Sequence, residues 1–292
     1  MVQFIPHLWF QASLKEVLAL YQRAFPETQL LYENTLDGTP SGTVSMAGLI
    51  LANLELRFLA SPAPFQLNPS FSLLVACQGT TEVDHLTQLL GEDGQVLMPL
   101  GSYPFSPRYS WVVDRFGLSW QVMDFSGRET SQRLIPTLMY TSQAAGHCEE
   151  AIRHYVHLAG SSISHVDRYG LLAEPNRPMD IRHLGFQLGD MVMAAMDSSA
   201  PHDFTFSEAA SLIVEVDSQK ELDYWWDNLS SDPEAERCGW LKDAYGVSWQ
   251  IVPRRLGQLM GSPDEEARSR VRDAFLAMKK FNIAELEKAA LG

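Results

Sequence analysis

One nine-residue pattern occurs twice in this chain, 129 positions apart, and no other feature limits its fold as strongly. Asp114-Arg115-Phe116-Gly117-Leu118-Ser119-Trp120-Gln121-Val122 returns as Asp243-Ala244-Tyr245-Gly246-Val247-Ser248-Trp249-Gln250-Ile251. Trp111 and Trp240 stand three residues before each aspartate. A second landmark keeps the register: Phe4-Ile5-Pro6-His7-Leu8 and Leu134-Ile135-Pro136-Thr137-Leu138 carry prolines 130 positions apart. Self-similarity at a fixed period marks duplicated structural units. The reading is a first domain at 1–126, a polar linker at Gly127–Gln132, a second domain at 133–253 and a tail at 254–292. A length of 292 residues suits two domains.

The order of elements repeats as well. Each half opens with a strand, then an amphipathic helix. Ser13 and Glu16 make a capping box before Leu14, Val17, Leu18, Tyr21 and Phe25 at helical spacing, and Pro26 stops the run. Cys148, Ala151, Ile152, Tyr155 and Ala159 repeat the period, ended by Gly160. Strand-like runs follow at Thr43–Ala60 and Leu184–Met196, then Phe71–Cys77 and Leu212–Val216. A second helix follows each, the later one with Ser218 and Glu221 as capping box, and the last strand carries Ser-Trp-Gln. Each half thus reads as two βαβββ units around its own concave sheet. In the tail, Ser262 is the expected N-cap, Pro263 the first helical residue and Glu265 the box partner; Asn282 with Glu285 starts a final helix.

Composition narrows function by exclusion. A formal charge of −14 disfavours nucleic acid and anionic membranes, which are bound through clustered Lys and Arg. The start Met1-Val2-Gln3-Phe4 lacks a basic segment before an apolar stretch, and no apolar run approaches a bilayer span. Cys77, Cys148 and Cys238 form no CxxC pair, which points to reduced thiols and a cytoplasmic location.

Paired βαβββ units ending in Asp-x-aromatic-Gly-x-Ser-Trp-Gln resemble the vicinal oxygen chelate superfamily of glyoxalase I, extradiol dioxygenases and bleomycin-resistance proteins. Within it the likeness is to PhnB-like proteins, which carry the label 3-demethylubiquinone-9 3-methyltransferase domain. The residues that carry it are Val96–Phe105 and Trp111 in the first half, and Met193–Ser198, Cys238–Asp243 and Tyr245–Pro253 in the second. The resemblance implies an α+β fold of tandem glyoxalase-like domains with a C-terminal helical tail. It also implies that the two halves form a pseudo-dimer within one chain, with a homodimer of chains as a further assembly.

Metal-binding members of the superfamily place ligands on the first, fifth and last strands. Counted from the helix tyrosine, the first-strand position is Pro6 or Pro136, with His7 one residue off and expected on the opposite face. The other positions hold Ser70 and Ser211, and Gln121 and Gln250, where relatives carry glutamate. Glu55 is the one carboxylate candidate, with Ala194 near its counterpart. No cofactor is expected, a divalent metal being the alternative. The expected ligand-binding residues are Tyr109, Trp111, Gln121, Trp240 and Gln250, and the function is binding of a small, partly apolar metabolite. The alternative is a superfamily enzyme, lyase, isomerase or dioxygenase, using a metal or using His7 as base. Methyl transfer is disfavoured, because the common S-adenosylmethionine fold needs a Gly-rich turn and the chain contains no Gly-x-Gly.

Overall fold

The computed structural model describes residues 2–39, 42–62, 64–128, 130–171 and 174–292; position 129 of the linker lies outside them. The chain forms two compact units, Pro6–Ala210 and Met1–Ile5 with Ser211–Gly292. The fold is α+β, with a helical C-terminal tail.

Within Pro6–Ala210, β1 (Gln3–Phe10) leads into α1 (Leu14–Ala24). The Ser13 hydroxyl accepts the Glu16 N–H and donates to the Glu16 carboxylate, so Ser13 is the N-cap of α1. Then come β2 (Gln29–Thr39), β3 (Gly42–Leu51) and β4 (Leu54–Ala60), in sheet order β1-β4-β3-β2 with β1 parallel to β4. The strand-like run over Thr43–Ala60 resolves into two strands, separated at Ala52 and Asn53, both with positive φ. β2 left no apolar alternation to read because it is exposed along nearly its whole length.

The second sheet corrects the idea that each half folds around its own sheet. It joins β5 (Phe71–Cys77), β6 (Gln95–Tyr103), β7 (Ser106–Val113) and β8 (Ser119–Asp124) of the first half to four strands of the second. These are β9 (Leu134–Tyr140), β10 (Ile163–Arg168), β11 (Ile181–Leu188) and β12 (Met191–Asp197). The order is β10-β11-β12-β9-β5-β8-β7-β6. The seam is the antiparallel pair β5·β9, which sets Ser72 opposite Thr137 and Leu74 opposite Ile135. β8 runs parallel to β5 on one side of it and β9 antiparallel on the other, so the two halves meet across β5.

Two helices, α2 (Thr80–Leu90) and α3 (Cys148–Ala159), cover one face of that sheet. Ser110 bonds Thr87 of α2 at 2.6 Å and Tyr140 bonds Tyr155 of α3 at 3.5 Å, which marks the helix side. By alternation, Tyr109, Trp111, Thr137 and Met139 point to the other face. Apolar side chains gather there too: Leu74, Tyr109, Met123, Ile135 and Ala194 form a buried cluster against Met98, Tyr103, Trp111, Phe125 and Val192.

The unit with Ser211–Gly292 contains β13 (Ala210–Val216), α4 (Gln219–Leu229), β14 (Trp240–Lys242) and β15 (Ser248–Pro253), ordered β14-β15-β13. The Ser218–Glu221 capping box is present. Among the described residues of this unit no strand matches β6. The tail supplies α5 (Arg254–Met260), α6 (Glu265–Leu276) and α7 (Ile283–Leu291). The N-cap of α6 is Asp264, whose carboxylate accepts the Ala267 N–H, and not Ser262; Ser262 instead accepts from Asp264 N–H. Asn282 caps α7 as expected. Among the described residues no helix is long and apolar enough to cross a membrane.

Candidate functional site

The nonapeptide that defines the repeat divides into two jobs. Its aspartate and tryptophan build the fold. Asp114 accepts hydrogen bonds from the N–H groups of Phe116 and Leu118, from Trp120 Nε1 at 2.8 Å and from Tyr21 OH at 2.7 Å. Asp243 accepts the matching bonds from Tyr245, Val247 and Trp249 Nε1. Each carboxylate thus locks a turn and anchors a fully buried indole on the helix side. Burial raises the Asp114 pKa, and the four donors pull against it.

Its glutamine faces the other way. Gln121 is buried, its Nε2 donating to Ser72 Oγ at 2.8 Å and its Oε1 accepting from Tyr109 OH at 2.9 Å. Trp111 pairs with Gln121 across the ladder and donates its indole N–H to Ser119 Oγ at 2.7 Å. Three of the expected residues, Tyr109, Trp111 and Gln121, therefore stand together on the face away from the helices, beside Leu74 and Ile135. Burial raises the Tyr109 pKa, so the phenol stays protonated and acts as a hydrogen-bond donor. The amide retains a second N–H and a second lone pair beyond these two bonds. A polar spot with spare donor and acceptor capacity in an apolar floor has the chemistry to orient a small ligand.

The fifth-strand position is corrected by this network. The partner of Gln121 is Ser72, not Ser70; Ser70 sits at the strand entrance, where its N–H donates to Asn68 and its carbonyl accepts from Met139. Ser211 does match, because Gln250 Nε2 donates to Ser211 Oγ at 3.0 Å. The common feature is a serine at the second position of both β5 and β13, paired in register with the serine before each Trp-Gln. That register was the signal available in the sequence.

The remaining expected residues lie apart from this floor. Trp240 pairs with Gln250 across β14·β15, as Trp111 does with Gln121. Cys238 takes the place of Tyr109, and the tail occupies it: Cys238 N–H donates to Met278 O and Gly239 N–H to Lys279 O, both at 2.8 Å. His7 pairs with Arg57 across β1·β4. Phe10 and Phe58 pack on Tyr21 of α1, so Pro6 shares the helix side and His7 points away from it, reversing the expected assignment of faces. Burial, then the Arg57 charge, lowers the His7 pKa to about 3. An imidazole so hard to protonate is a weak proton acceptor at neutral pH. Glu55 is committed to an ion pair with Arg57. Among the described residues no group of three or more His, Cys, Asp or Glu is placed to hold a metal.

The family model for 3-demethylubiquinone-9 3-methyltransferase matches twice, at residues 2–123 and 132–252. The chain belongs to this PhnB-like family. A PhnB protein from Bacillus cereus, described as a 3-demethylubiquinone-9 3-methyltransferase, is 30% identical over 41% of this chain and 96% of its own, with a TM-score of 0.37. Glyoxalase I from Zea mays is 12% identical over 89% of this chain and 96% of its own, with a TM-score of 0.58, which places the tandem arrangement in the glyoxalase fold. No curated protein matches the chain.

Proposed function

We propose that this PhnB-like chain binds a small, partly apolar metabolite on the face of the eight-stranded sheet away from α2 and α3, oriented by Gln121. The observation that carries the proposal is the buried amide held between Ser72 and Tyr109 in an apolar floor. Fixing an amide by two hydrogen bonds pre-organises its remaining donor and acceptor, which lowers the cost of ligand binding. Acid–base chemistry would need a titratable group poised near neutrality, and His7 is driven far from it. The family label's methyl transfer lacks a Gly-rich cofactor turn in this sequence.

The halves 1–126 and 133–253 are, in this proposal, products of duplication and fusion that make a pseudo-dimer of one chain, as antiparallel β5·β9 pairing across the repeat boundary supports. Three cysteines with neither CxxC spacing nor disulfides among them support a cytoplasmic setting. Native mass spectrometry of protein purified without chelator tests the binding role. A small organic molecule retained by the parent, lost from Gln121→Ala and weakened in Tyr109→Phe, is expected; equal retention by Gln121→Ala overturns it.

A further inference from the structure

Two histidines on the same sheet take no part in the Gln121 floor. His165 on β10 and His183 on β11 bring Nε2 and Nδ1 to 2.7 Å. Their ring planes differ by 8° and their centroids are 4.9 Å apart. With parallel planes and facing nitrogens so much nearer than the centroids, the rings lie edge to edge, nitrogen toward nitrogen, and not face to face.

The sequence makes room for this pair. Gly185 opposes His165 across the β10·β11 ladder, and a Cβ on it would lie 2.5 Å from His165 Cε1 and 2.6 Å from Nδ1. Any larger residue would push the imidazole off its present position. Gly185 in turn pairs with Ala194, a member of the apolar cluster, so the histidines share the face of the proposed binding floor.

We propose that His165 Nε2 and His183 Nδ1 form a two-imidazole site for a divalent transition metal on this face of the sheet. Neutral imidazole is a favoured ligand for such ions. Tetrahedral zinc bonds of about 2.0–2.1 Å put two ligand nitrogens roughly 3.3 Å apart, so the rings need to separate by about 0.6 Å. The proton now lying between them stays on the pair. If His165 holds it, it moves to His165 Nδ1, where Ser164 Oγ lies 3.4 Å away, and if His183 holds it, it moves to His183 Nε2. No third His, Cys, Asp or Glu joins these two among the described residues, so water or ligand oxygens fill the other positions. The site is separate from the strand positions at which metal-binding relatives of this fold hold their ions.

Zinc alone is the probe, titrated calorimetrically into the full chain near neutral pH. One equivalent bound with a micromolar Kd is expected, weakened about tenfold or more in His165→Ala and in His183→Ala. Gly185→Ala, which keeps both ligands, is expected to weaken it as well by displacing the His165 ring. His154→Ala with His157→Ala removes imidazoles from α3 and leaves the site intact. Unfolding midpoints confirm that each variant is folded. Absence of a one-equivalent site in the parent overturns the proposal, as does a site that survives with the same affinity in both His165→Ala and His183→Ala.

Discussion

The closing units of the two halves, β5–β8 with α2 and β13–β15 with α4, share the same inner network and differ at one edge. Both hold an aspartate-anchored tryptophan on the helix side and a serine-bound glutamine on the other. In the first, the β6–β7 hairpin brings Tyr109 to Gln121 and stacks Tyr103 and Phe105 beside it. In the second, β14 is three residues long and backbone groups of 278–279 bond Cys238 and Gly239 in place of a strand. Gly239 has φ +82, and a Cβ there would lie 2.5 Å from Phe281, so the glycine admits the tail. The shared elements are those that folding needs. The edge that was free to change is the one that decides whether an aromatic wall stands over the glutamine.

The largest expected effect breaks the substitute edge. Phe281 is buried against Gly239, and Phe281→Ala should destabilise the chain by about 3–5 kcal/mol in denaturant unfolding. A loss below 1 kcal/mol would mean that the tail only drapes over β14. The shared network comes next: Asp114→Ala strands Tyr21 OH, Trp120 Nε1 and two backbone N–H groups, and should cost about 3 kcal/mol. Asp243→Ala should cost a similar amount, and a clear inequality would show that the two copies have diverged inside as well.

The first strands offer a smaller contrast, since His7 and Thr137 occupy equivalent positions. The folded-state pKa of His7 is about 3 against an ordinary 6.5, so the neutral form stabilises the fold. That contribution is complete above about pH 6.5 and is lost as pH falls toward 3. His7→Thr should therefore flatten the acid decline in stability by about 1–2 kcal/mol between pH 6.5 and 4.5, with the His183 share remaining. An unchanged slope would show that His7 is hydrated. Smallest of all, Tyr109→Phe removes one hydrogen bond to Gln121 and should cost about 1 kcal/mol of stability while weakening ligand retention more visibly.

The sequence was informative wherever residues repeat. The nonapeptides marked the last strands, Ser13 and Ser218 marked two helix starts, and the candidates Tyr109, Trp111 and Gln121 stand together on one face. It was silent where pairing is non-local. Nothing in either half signals that β5 pairs with β9, because both are uniformly buried strands whose apolar runs suit many neighbours. Counting back from Tyr21 put Pro6 on the inner face because the turn before α1 has no fixed length; the ring contacts of Phe10 and Phe58 show the error of one residue. The His165–His183 pair was hidden for the same reason, since β10 carries no apolar alternation and its register rests on bulges.

A crystal structure of the chain soaked with the small molecule that native mass spectrometry identifies tests the central claim most directly. The account predicts density on the eight-stranded sheet within hydrogen-bond reach of the Gln121 amide, lying against Tyr109 and Trp111. Density elsewhere, beside Trp240 and Gln250 for example, with the Gln121 face left to solvent, would contradict it.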